Sequence, residues 1–74
     1  MKTAKERFEA MKFLIDNNMI PEGCEVRLWI NNCTKKEILD LSAELEIPAD
    51  KRNHNDSRLF LLVEFDNHEI TLWE

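Results

Sequence analysis

The spacing of apolar positions changes repeatedly along this chain, and each change marks an element. Ala4, Phe8, Met11 and Ile15 recur at helical spacing, with Leu14 beside them, the stripe that a helix buries on one side. Thr3-Ala4-Lys5-Glu6 opens the stripe as a capping box, in which the hydroxyl serves a free amide and the carboxylate reaches back. Asn17-Asn18 and then Pro21 close it, because Asn tolerates the left-handed backbone that ends helices and Pro cannot continue one. A first helix is predicted over residues 4–17. After Pro21-Glu22-Gly23 the period becomes two: Cys24, Val26, Leu28 and Ile30 alternate with Glu25, Arg27, Trp29 and Asn31, predicting a strand over 25–31. A second capping box, Thr34-Lys35-Lys36-Glu37, precedes the buried stripe Ile38, Leu41 and Leu45, and Pro48 stops a helix predicted over 34–46. Glu37, Asp40 and Glu44 form an acidic stripe on that helix, a pattern that by itself suits an ordinary solvated face. Residues 49–57 have no apolar side chain after Ala49 and read as a polar loop; Lys51, Arg52 and Arg58 form the only basic cluster in the second half.

The stretch that follows breaks the alternation. Leu59, Phe60, Leu61, Leu62 and Val63 are all apolar, and Glu64 alone intervenes before Phe65, so a strand over 59–65 has apolar groups on both faces. Asp66-Asn67 suits a tight two-residue turn into a strand over 68–73. Such a turn sets the register: Phe65 opposes His68, Val63 opposes Ile70 and Leu61 opposes Leu72 on one face. On the other face Glu64 opposes Glu69, Leu62 opposes Thr71 and Phe60 opposes Trp73. The element order α-β-α-β-β predicts a small two-layer α+β sandwich, with both helices on one face of a three-stranded mixed sheet. The crossover through the second helix leads to the expectation that strands 25–31 and 59–65 are parallel, with 59–65 central.

Helices on one face would leave Trp29, Phe60, Leu62 and Trp73 on the other, among Glu25, Arg27, Glu64, Glu69 and Thr71. Large aromatics each bury roughly 150 to 250 Å² when covered, so such a cluster predicts either a contact surface or cover by the first helix on that second face.

Composition narrows the function classes. Seventy-four residues make one domain, and 43% apolar with 34% charged residues suits a folded protein with a solvated surface. The charged N-terminus has no apolar leader core, and no stretch approaches the roughly 20 residues needed to cross a bilayer, so the expectation is a complete cytoplasmic protein beginning at Met1, with no membrane partner. The net charge is −5, with five acids and no base from Glu37 to Asp50 and four acids and no base from Glu64 to Glu74. That balance disfavours direct nucleic-acid binding, which relies on Lys and Arg at phosphates, and favours a basic protein surface.

Catalytic and cofactor motifs are absent. Gly23 is the only glycine, so there is no phosphate-cradling glycine loop, and no nucleophile-elbow, zincin or EF-hand spacing occurs. Cys24 and Cys33 are nine residues apart; an extended segment at about 3.3 Å per residue separates them beyond disulfide reach, so both are expected as free thiols. A site built from Cys24, Cys33, His54 and His68 would lack any close metal-ligand pair, and a Cys33–His54 nucleophile and base would need to meet in space. The expectation is therefore a non-catalytic protein without metal or cofactor. It would act as an inhibitor or adaptor that occludes a basic partner surface, for instance on a nucleic-acid enzyme, the strategy of small phage-encoded and mobile-element inhibitors. The candidate contact residues are Trp29, Phe60, Leu62, Trp73, Glu64, Glu69, Glu37, Asp40 and Glu44. A homo-oligomeric module joined through the same aromatic face is the alternative, and a small Cys/His enzyme or metal protein the third.

Overall fold

The computed structural model describes residues 2–74. Its elements are α1 (Ala4–Asp16), β1 (Arg27–Ile30), α2 (Lys35–Leu45), β2 (Asp50–Asn53), β3 (Asp56–Phe65) and β4 (His68–Trp73). Both capping boxes are formed: Thr3 accepts from the Glu6 N–H and Thr34 from the Glu37 N–H, with each glutamate accepting in return from the cap backbone. α1 gives way to a left-handed Asn18 (φ 53°), while α2 ends on Glu46 (φ 57°), which pays the steric cost a glycine would avoid.

The strands form one four-stranded mixed sheet in the order β1-β4-β3-β2. The hairpin register is the one the two-residue turn implies, with Phe60 opposite Trp73, Leu62 opposite Thr71 and Phe65 opposite His68; Asp66 takes the positive φ (46°).

Three expectations are corrected. The sheet has four strands because residues 50–53, expected as loop, pair antiparallel with the start of β3: Asp50 opposes Phe60 and Lys51 opposes Leu59. An edge strand needs backbone partners on one side only and can be wholly polar, so hydrophobic periodicity is silent about it. The element order is therefore α-β-α-β-β-β. Finally, β1 runs parallel to β4, with Leu28 opposite Ile70; since β3 and β4 are antiparallel, β1 is antiparallel to β3. The crossover carries the chain from β1 over β4's place to the far side of the sheet, and the last strand fills the gap. β3 is central as expected, but β4 shares that position.

Both helices cover the same face. Ala4 and Phe8 of α1 and Ile38 and Leu41 of α2 join Ile30, Leu61, Val63, Ile70, Leu72 and Cys33 in one buried core, and Phe8 lies 6.4 Å from Phe65 between ring centroids. Glu37 ties the helix layer together. Its carboxylate accepts from the Ala4 N–H at the start of α1 (2.7 Å) and from the Thr34 N–H at the cap of α2 (2.9 Å). These bonds, the one from Ala4 foremost, hold its pKa below the ordinary carboxylate range.

Candidate contact surface on the open sheet face

With both helices on one side, the alternate residues of every strand form a face with no helix over it. Its centre is an aromatic cluster on adjacent strands. Trp73 of β4 meets Trp29 of β1 edge-on, with centroids 5.7 Å apart and planes at 72°. It meets Phe60 of β3 at 5.2 Å. The Arg52 guanidinium of β2 lies 5.1 Å from the Trp73 ring centroid, a cation–π distance. In the next row Trp29, Thr71 and Leu62 stand side by side, and Thr71 is buried between its larger neighbours.

Exposure within the cluster is uneven. Phe60, Leu62 and Trp73 are half-buried, mostly by one another, whereas Trp29 keeps 67% of its surface in solvent. Trp29, Asn31, Arg52 and Trp73 line a shallow cleft of about 270 Å³. Trp73 Nε1 and Arg52 Nε beside it are buried N–H donors without an acceptor among the described residues.

Charges on this face are mixed. Arg27 pairs loosely with Glu69 (3.9 Å), and Arg58 pairs closely with Asp56 (2.6 Å), whose carboxyl is held down to about 2 by hydrogen bonds from the Arg58 side chain and backbone. Glu64 stands opposite Glu69, a like-charge cross-strand pair.

The nine candidate residues thus fall into two groups. Trp29, Phe60, Leu62, Trp73, Glu64 and Glu69 share the open face. Glu37, Asp40 and Glu44 lie on α2, in the helix layer on the other side of the sheet, and each has a role there: Glu37 caps two helices, Asp40 pairs with Lys36 (2.7 Å) and Glu44 with Lys5 (3.2 Å). One flat partner surface cannot touch both groups at once.

The Cys and His residues are likewise dispersed. Cys33 is a buried free thiol whose pKa is raised by burial, with Arg7 partly opposing; Cys24 is exposed and also free. His68 Nδ1 accepts from the Val26 N–H (3.0 Å) and so clips the entry to β1, while His54 is exposed in the turn between β2 and β3. Among the described residues no three His, Cys, Asp or Glu side chains gather where a metal could sit, and no helix is long and apolar enough to cross a membrane.

Reasoning from the sequence missed Arg52 as part of the cluster. The turn-prone Asn53-His54-Asn55-Asp56 signals a hairpin, but a regular two-residue turn would set Asp50 opposite Leu59; the register shift between Lys51 and Asn53 is what sets Asp50 opposite Phe60, and no local pattern announces it.

The architecture is an open-faced α+β sandwich with an aromatic cluster on the bare sheet face. Comparison with protein families, with curated proteins and with solved structures finds no match to this chain.

Proposed function

We propose that this is a non-catalytic protein-binding module that acts by seating its open sheet face on a partner protein, as an inhibitor or adaptor. One observation carries the reading: Trp29, with 67% of its surface exposed, stands against an aromatic cluster already held in place by Trp73, Phe60 and Arg52. A rigid, preassembled aromatic anchor loses little entropy on binding, and Trp and Arg dominate interface energetics for that reason. The net charge of −5 favours a partner whose wider surface is basic, such as the nucleic-acid site of an enzyme, and speeds its encounter. The acidic stripe of α2 enters this reading only through that long-range field.

The test is capture of partners from lysate with the wild type beside Trp29→Ala. Loss of the captured protein on substitution, by at least about 2 kcal/mol in affinity once it is purified, supports the reading, as does association that slows as salt rises. A captured partner held equally well by Trp29→Ala would refute it.

A further inference from the structure

The two outer edges of the sheet are built differently. The β2 edge is the charged run Asp50-Lys51-Arg52-Asn53, and its register shifts between Lys51 and Asn53. Short length, charge and irregularity are the usual guards against another strand adding on. The β1 edge is equally short, four residues like β2, but has none of the irregularity and a single charge: Arg27-Leu28-Trp29-Ile30 runs regularly beside β4.

Parity shows which of its backbone groups are free. The Glu69 N–H donates to the Val26 carbonyl (2.9 Å), so Val26, Leu28 and Ile30 turn their backbone groups toward β4, and Arg27, Trp29 and Asn31 turn theirs outward. The Asn31 carbonyl is taken by Arg7 Nη1 (2.7 Å). Among the described residues β1 pairs with β4 alone, and no turn or loop bond reaches the backbone N–H or C=O of Arg27 or Trp29. A cleft of about 420 Å³ between α1 and this edge, lined in part by Ala10, Met11, Leu28 and Trp29, leaves the approach open.

We infer that the β1 edge pairs with the β1 edge of a second copy of this chain, antiparallel about a two-fold axis at Leu28, to make one continuous eight-stranded sheet. Arg27 then exchanges both backbone hydrogen bonds with Trp29 of the other copy, and the symmetric pair repeats them. This register uses the four free groups on each copy and leaves the Asn31 carbonyl with Arg7. It also matches side chains in every row. On the helix side Leu28 meets Leu28, and Val26 meets Ile30. On the open side the Arg27 guanidinium lies over the other copy's Trp29, a cation–π pair that covers the most exposed tryptophan edge. The two neighbouring registers are worse: centring on Arg27 sets two like charges face to face, and centring on Trp29 requires the Asn31 carbonyl that Arg7 occupies. The pairing is along the edge and shares Trp29 with the proposed open-face contact, but not Trp73, Phe60 or the Arg52 cleft; it would align two aromatic clusters on one surface.

The test is the oligomeric state by sedimentation equilibrium, with circular dichroism confirming the fold of each variant. Arg27→Pro removes an outward N–H on each copy and no bond to β4, since proline is tolerated on edge strands. It should weaken the dimer at least about tenfold, two of the four bonds being lost. Trp73→Ala, on the face, should leave dimerisation in place. In a Cys24→Ser background, Leu28→Cys should cross-link to itself on oxidation more readily than Arg27→Cys or Trp29→Cys, because the residue on the two-fold meets its own copy at disulfide distance. A wild type still monomeric at about 1 mM, a dimer untouched by Arg27→Pro, a dimer abolished by Trp73→Ala alone, or preferential cross-linking at residue 27 or 29 would each overturn the pairing.

Discussion

The two faces of this sheet are made by the same strands, yet they are stabilised by different physics. On the helix face Leu61, Ile70 and Leu72 are wholly buried, their neighbours supplied by distant segments that fold over them. On the open face nothing folds over, and cover comes from the side chains themselves: Trp29, Phe60 and Arg52 surround Trp73, and Thr71 disappears beneath its row. The first face is a close-packed interior, in which any lost volume becomes a cavity. The second is a self-supporting layer, which can relax or admit water when a member is removed. Aliphatic groups suit the first because they fill space without direction, and aromatic groups the second because one ring can shield another.

That difference predicts graded effects. The largest belongs to the helix face: Ile70→Ala should destabilise by about 2 to 5 kcal/mol in denaturant titration, and a loss below about 1 kcal/mol would show that the two faces are equally soft. Trp73→Ala comes next. It removes two aromatic pairs and the Arg52 stack from a half-buried site, each worth about 0.5 to 1.5 kcal/mol, so a loss of about 1 to 3 kcal/mol is expected, with no change in the helical signal.

Glu37 gives a third, pH-dependent contrast on the helix side. Its folded pKa is depressed by the Ala4 and Thr34 N–H bonds, so the folded state binds its proton less readily than the unfolded state does. Its contribution is therefore complete above the ordinary carboxylate range, declines as pH falls through about 4 to 5, and is gone below the depressed folded value. Glu37→Gln should cost about 1 kcal/mol near neutral pH, and the wild type and variant should converge in acid. A gap that persists undiminished at about pH 2 would assign Glu37 a role other than its charge. The smallest effect is expected for Trp29→Ala, about 0.5 to 1 kcal/mol for the single aromatic pair with Trp73 that it removes, despite deleting the largest exposed ring. A greater loss would mean that the open face depends on Trp29 for its own integrity.

How far these features could be read in advance follows from what local pattern encodes. The capping boxes, the helices and the β3–β4 register were legible because each is set within a few residues: a hydroxyl and a glutamate three apart, or a two-residue turn at Asp66-Asn67. The two faces were legible by parity, from the alternation in residues 24–31 and, where Leu59–Val63 breaks it, from the register that the turn imposes. The pairing of β1 with β4 was not, since alternation says which way a side chain points and nothing about which strand lies alongside. β2 was invisible because Asp50, Lys51, Arg52 and Asn53 include no apolar side chain whose alternation could mark a strand. The candidate contact surface shared that gap: Trp29, Phe60, Leu62 and Trp73 could be grouped by parity, but Arg52 could not. Only the packing of α2 could separate Glu37, Asp40 and Glu44 from that group.

The position of β4 has a consequence for the order in which the protein can form. Its residues, His68–Trp73, lie between β1 and β3, so β1 has no neighbour until this segment arrives. During synthesis the ribosome must therefore release the chain through Trp73 before the first strand can be fixed, although both helices and the β2–β3 hairpin are made earlier. Joining β1 to β4 closes a loop of about forty residues, a non-local step that carries most of the entropic cost of the topology and slows folding accordingly. Until it occurs, Leu28 and Ile30 lack their sheet neighbour, and a nascent or truncated chain lacking this segment would have a sheet split in two, joined through the α1–α2 contact, with hydrophobic surface on both parts open to aggregation.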